Sequence, residues 1–135
     1  AEPDNGDAHN SLGYYLFQRG AYEEARTHYL RALECIPEFP LACNNLGNLE
    51  LALNNMAEAE RWYLKALEIY PDDPYADFNL GRVYLRQGDS ERALRHFEAM
   101  VVKHPDSVGL RQEAGRMLEQ AGLTEKAKLF NTRLE

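Results

Sequence analysis

Apolar residues return along this chain in steps of three and four: Ala8, Leu12 and Tyr15, then Ala42, Leu46 and Leu49, then Ala76, Leu80 and Val83, then Leu110, Ala114 and Met117. Such steps bring side chains back to one side of an α-helix, so each set predicts a helix with a buried stripe. A second type of helix alternates with the first. It carries Ala25, Ala59, Ala93 and Ala127, with Tyr29, Tyr63 and Phe97 four residues beyond the first three of these alanines. Small residues let helices approach closely while large ones fill the space between them. Between the two types stands Gly20, Asn54, Gly88 or Gly122. Glycine and asparagine tolerate the left-handed backbone that ends a helix, so one helix stops there and the next begins. No apolar alternation bounded by hairpin turns is present, and no strand is expected.

The pattern is periodic. Gly13, Gly47, Gly81 and Gly115 are spaced 34 residues apart, as are Pro3, Pro37, Pro71 and Pro105. A fixed period of this length marks a supersecondary unit that cannot bury its own apolar face and stacks on its neighbours. The expected units are 6–39, 40–73, 74–107 and a truncated fourth at 108–135, within a single domain spanning 1–135. Glycine inside a helix costs about 1 kcal/mol relative to alanine, so its return at one phase implies a neighbouring helix too close for a side chain.

These residues resemble the tetratricopeptide repeat family. Its pattern of Leu-Gly, then an aromatic, Gly, Ala, an aromatic, Ala and Pro is matched by Leu12-Gly13, Gly20, Tyr22, Ala25, Tyr29, Ala32 and Pro37. Leu46-Gly47, Ala59, Tyr63, Ala66 and Pro71 follow in the second unit, and Leu80-Gly81, Tyr84, Gly88, Ala93, Phe97 and Pro105 in the third. Glu50, Asn54 and Met100 depart from the pattern, and the fourth unit is degenerate. The resemblance implies an all-α fold, a right-handed superhelical solenoid of antiparallel helix pairs whose concave wall is built from the first helix of each unit. Residues 1–5 align with Ile69–Asp73 and are expected to be the tail of a preceding repeat in a longer array. Asn131 and Glu135 replace apolar residues of the earlier units, as a terminal capping unit requires.

Composition narrows the function. The formal net charge of −7 opposes phosphate binding, so nucleic acid is not an expected partner. Apolar stretches fall far short of the roughly 18 residues of a spanning helix, and no membrane insertion is expected. Two cysteines, Cys35 and Cys43, make neither a disulfide framework nor a metal cluster and read as small buried hydrophobes. His9, His28, His96 and His104 fall on different faces or units, His28 and His96 on a solvated one. No phosphate loop, acid/base pair or nucleophile motif appears, so neither a cofactor nor catalysis is expected of this chain.

What remains is a surface. Opposite the buried stripes, the first helices carry Asn10, Tyr14 and Phe17; Asn44, Asn45 and Asn48; Tyr75, Phe78, Asn79, Arg82 and Arg86; and Gln112 and Arg116. Aromatic residues, asparagine and arginine are a mixture suited to binding. Asparagine pairs bidentately with peptide backbone, or else bonds its own neighbouring turn. Arginine takes a carboxylate, or else pairs with Glu113 and Glu119 nearby. The expected partner is a protein or peptide, with an acidic segment as the natural occupant of the arginines. The carboxylate clamp some family members use for chaperone tails is not expected, because Tyr75, Gly109 and Glu113 stand where it needs basic residues. Two other readings stay open: a scaffold working through repeat ends or convex faces, and a substrate-recruiting array of a larger enzyme. A face around Leu12, Tyr15 and Leu16, left without a cover, is expected to favour self-association.

Overall fold

The computed structural model describes residues 5–131, which form eight helices and no strand. They are α1 (Gly6–Gln18), α2 (Tyr22–Cys35), α3 (Pro40–Ala52), α4 (Met56–Ile69), α5 (Pro74–Arg86), α6 (Ser90–Lys103), α7 (Val108–Gln120) and α8 (Thr124–Asn131). Pro3, most of the 1–5 segment aligned to a preceding repeat, and Glu135 lie outside the described residues.

Helix starts and stops follow from single residues. Asn5, Asp73 and Asp89 each accept a hydrogen bond from a backbone N–H in the first turn, of Ala8, Tyr75 and Arg92 respectively. Pro40 and Pro74 open α3 and α5, where a missing N–H leaves no bond unmade. Each first helix ends identically: Gly20, Asn54, Gly88 and Gly122 have φ of 80°, 63°, 80° and 84°. The next residue's N–H reaches back across the last turn, as from Ala21 to Leu16 O (2.9 Å), Asn55 to Glu50 O (2.8 Å), Asp89 to Tyr84 O (2.8 Å) and Leu123 to Leu118 O (2.8 Å). This double-bonded cap satisfies carbonyls that helix ends otherwise leave open, and it turns the chain into an antiparallel partner.

The chain divides into two compact units, Ala1–Pro71 and Asp72–Glu135. In the first, α1 pairs with α2 and α3 with α4, while α2 and α1 both pack on α3. Ala25, Tyr29, Leu46 and Leu49 form its centre, with Leu16, Phe17, Tyr22 and Trp62 among the side chains packed against them. Burying a large apolar side chain contributes about 1.5–3 kcal/mol, so this cluster is what holds the hairpins together. A Cβ on Gly13 would lie 2.7 Å from Tyr29 Cδ1, and one on Gly47 would lie 2.6 Å from Tyr63 Cδ1, so these two periodic glycines are sites of close approach.

Leu12 and Tyr15 correct the stripe expected of α1. They are 42% and 55% exposed, because nothing in the described residues covers that side; Leu16 beside them is half-buried. Cys43 is buried, Cys35 only half-buried, and both are free thiols.

The second unit repeats the plan with α5 paired to α6 and α7 to α8, and with α7 packed on both α5 and α6. A Cβ on Gly81 would meet the Phe97 ring, and one on Gly115 would meet Asn131, the polar residue that stands where the earlier units have an aromatic. Phe97 packs against Phe78 and Phe130, with ring centroids 6.1 Å away in each case.

Candidate peptide-binding faces

In the first unit the sequence-predicted residues separate into two groups. Asn10 and Asn45 come together: Asn45 Nδ2 donates to Asn10 Oδ1 at 2.9 Å, which places the outward faces of α1 and α3 side by side. Asn48 accepts from the Tyr63 hydroxyl at 2.5 Å and is thereby tied to α4. Asn10 and Asn44 are buried, Asn45 and Asn48 half-buried. Phe17 turns toward Tyr22, 5.5 Å between centroids, and joins the core instead of the outer face. Tyr14 is 52% exposed, with Leu41 of α3 at 57%. Tyr14 also adds, after burial itself, to the factors that hold the Tyr29 hydroxyl protonated well above the ordinary tyrosine range.

In the second unit Asn79 and Arg82 come together, with Arg82 Nη2 donating to Asn79 Oδ1 at 3.0 Å. The guanidinium lies 5.9 Å from the centre of the Phe78 ring, which orients it by cation–π attraction. Asn79 and Phe78 are buried. Tyr75 is 59% exposed, and Arg86 and Gln112 are exposed as well. Arg116 is engaged by Glu113 one turn before it, its Nε donating to Oε2 at 3.0 Å. That exposed pair is worth about 0–1 kcal/mol.

Several polar arrangements escaped the sequence reading. Glu50, which looked like a departure from the family pattern, is buried and ion-paired with Arg26 of α2, while Arg26 also bonds Glu23 at 2.7 Å. The hydrogen bond to Glu50, before that to Glu23, raises the Arg26 pKa further above its ordinary value. Asp77 is buried and held by His96 Nδ1 and Lys103 Nζ, both at 2.9 Å. His9 and His28 were expected on different faces, yet their Nδ1 atoms are 3.0 Å apart and their rings stack. His28 and His96 are therefore half-buried and bonded, not solvated. Both pairs, 9 with 28 and 77 with 96, are 19 residues apart and join the first helix of a hairpin to its second. That recurrence was the available signal, and periodicity within one helix does not expose it.

Among the described residues no group of three or more His, Cys, Asp or Glu is placed to hold a metal ion, and no helix is long and apolar enough to cross a membrane.

Family models described as tetratricopeptide repeat match residues 40–99 and 78–132, and one described as TPR repeat matches 13–53. These stretches overlap and run without a gap from residue 13 to 132. This chain belongs to the tetratricopeptide repeat family. In structure the tetratricopeptide chain is similar to one solved as "Crystal structure of MamA", with a TM-score of 0.78 at 20% identity, covering 96% of this chain and 75% of that one. It is also similar to "Crystal structure of MamA protein", with a TM-score of 0.76 at 20% identity, covering 94% and 69%. Among curated proteins, no sequence matches it. Tetratricopeptide chains are in general protein–protein interaction modules and typically serve as non-catalytic scaffolds.

Proposed function

We infer that within each unit the outward faces of the first helices bind an extended peptide segment, using amides for its backbone and, in the second unit, arginines for an acidic side chain. The observation that carries this reading is the exposure of large apolar side chains beside hydrogen-bonding groups: Tyr14 and Leu41 in one unit, Tyr75 in the other. An aromatic body with a polar tip is suited to a surface that is wet when free and dry when occupied. Asn45, half-buried, keeps spare donor and acceptor capacity after its bond to Asn10, since a carboxamide has two donors and two lone pairs. Arg82 is aimed by Asn79 and Phe78, so less freedom is lost when it meets a carboxylate.

The test is a titration of labelled acidic, neutral and basic peptides into the chain at low and high salt. The acidic peptide is expected to bind tightest, to weaken with salt, and to lose about tenfold or more with Arg82→Ala, as the loss of one charge-assisted bond implies. Equal binding of all three peptides, unchanged by Arg82→Ala and Asn45→Ala, would dismiss the reading. A second reading follows from the exposure of Leu12 and Tyr15, which favours docking of a second copy on α1. In that case sedimentation shows a concentration-dependent dimer that Tyr15→Lys abolishes and Arg82→Ala leaves intact.

A further inference from the structure

The second unit contains a cavity of about 180 Å³ where α6, α7 and α8 meet, lined by Glu98, Val101, Val102, Arg111, Leu129 and Phe130. None of these residues belongs to the faces proposed above. The walls are almost wholly apolar. The charged exceptions are Glu98, exposed at the rim, and Arg111, from the first turn of α7, which is only 7% exposed. Among the described residues nothing accepts a hydrogen bond from its buried Nε. A buried guanidinium nitrogen without an acceptor among the described residues is costly and is normally paired, so its place on a cavity wall suits an anionic ligand. The mouth adds a second, independent sign. Val102 is 80% exposed and Leu129 65%, two large apolar side chains left in water beside a hole that an apolar group would fill.

The volume limits the occupant. It is well below the roughly 300–1,000 Å³ of sites for drug-sized ligands, so it suits one side chain and not a cofactor. Charge limits it further. The occupant needs one carboxylate for Arg111 and an apolar body for Val101, Val102, Leu129 and Phe130. An internal Asp or Glu supplies the first without the second, and an internal Leu the second without the first. A chain-terminal Leu or Phe supplies both from one residue. Glu98, exposed on α6 at the rim, repels a further negative charge and can accept the N–H of the terminal peptide unit. We propose that this cavity captures the C-terminus of a partner protein ending in a large apolar residue, its free carboxylate on Arg111 and its side chain in the pocket. The site prefers an uncharged or basic residue next to the last, because Glu98 guards the mouth.

The test is fluorescence anisotropy on the full chain with N-terminally labelled peptides ending in Leu as the free acid, Leu as the amide, or Gly as the free acid. The Leu acid is expected to bind about tenfold or more tightly than either of the others, the amide losing the charge and the glycine the apolar body. Arg111→Met keeps the aliphatic stem and is expected to erase the preference for acid over amide. Val102→Glu changes an exposed residue, so it leaves the fold intact, and it is expected to weaken the Leu acid at least as much. Amide chemical shifts of the 15N-labelled chain are expected to move at Val101, Val102 and Leu129. Equal affinity for acid and amide, no binding of any peptide, or shifts confined to Tyr75 and Arg82 on α5 would each overturn the proposal. The last outcome also separates this site from the peptide-binding faces, whose failure leaves it standing.

Discussion

Replacing Gly47 by alanine sets two effects of known sign against each other. Inside a helix, alanine is favoured over glycine by about 1 kcal/mol, so on propensity alone α3 should gain stability. The new methyl carbon would lie 2.6 Å from Tyr63 Cδ1 and 2.7 Å from Cζ, where carbon atoms normally rest about 3.5–4.0 Å apart. The ring must retreat by about 1 Å. It has little freedom to do so, being fully buried with its hydroxyl bonded to Asn48. Overpacking of this kind costs about 1–3 kcal/mol, and after subtracting the propensity gain we expect a net loss of up to about 2 kcal/mol. Gly109→Ala is the reference, since nothing lies within 4 Å of a Cβ there; it should be neutral or stabilise by up to about 1 kcal/mol. Tyr63→Leu removes the ring and is itself destabilising, but it makes room for the methyl. The double variant is therefore expected to beat the sum of the singles by about 1–2 kcal/mol. Urea unfolding followed by the single tryptophan, Trp62, reads the unit that contains Gly47 and Tyr63, since Trp62 packs on its core, and circular dichroism reads the Gly109→Ala reference in the other unit. If Gly47→Ala matches or exceeds the parent, or the two changes are additive, the close approach is not why glycine stands there.

Gly88→Ala should cost about 1 kcal/mol although nothing lies near its Cβ, purely from the left-handed backbone, whereas Asn54→Gly at the same kind of cap should stabilise slightly; thermal melts of both decide it. Arg26→Ala strands the buried Glu50 and should cost about 2–3 kcal/mol, below the usual range for breaking a buried pair because Arg26 is 26% exposed; adding Glu50→Leu should recover most of it in the same urea assay. In the native protein a thiol reagent should label Cys35 well before Cys43, which is fully buried and whose thiol burial pushes up; equal rates would contradict the burial. Burial also raises the Tyr29 pKa, so its stabilising contribution is whole below the unfolded tyrosine value of about 10 and is lost as pH rises through that value toward the folded one. Urea midpoints between about pH 9 and about pH 11 should fall more steeply in the parent than in Tyr29→Phe.

The helix ends were legible because left-handed backbone narrows the choice of residue to very few types: Gly20, Asn54, Gly88 and Gly122 all carry positive φ. The close approaches were legible for a similar reason, since a glycine that returns in the middle of a helix needs a cause, and Tyr29, Tyr63 and Phe97 supply it. Leu12 and Tyr15 show where such reasoning ends. A stripe says which side of a helix would be buried against a neighbour, and nothing about whether a neighbour is there. The site residues divide on the same point. Asparagine is at home either in a buried network or at a wet surface, and Asn10 and Asn79 took the first course while Tyr14 and Tyr75 stayed outside. Arg111 was passed over because its position in α7 belongs to neither the expected groove nor the apolar stripe, yet it is more buried than Arg82 or Arg116.

The polar side chains buried between helices suggest what keeps each unit in a single register. Apolar ridges on α1, α2 and α3 can pack in more than one alignment with similar area buried, because the hydrophobic effect has no direction. A hydrogen bond or ion pair does have direction. Within the first unit, Asn45 with Asn10 ties α3 to α1, and Arg26 with Glu50 ties α2 to α3. Sliding either helix by one turn moves it about 5.4 Å and leaves buried Glu50 and Asn10 without their partners, a larger penalty than any change in apolar area along so short an interface. In the second unit His96 and Lys103 fix α6 against α5 through Asp77 in the same way. On that basis Glu50, a departure from the family pattern, acts with Asn10, Asn45 and Asp77 as a pin that holds otherwise slippery helices at one setting, and the exposed residues of the first helices inherit their positions from these pins.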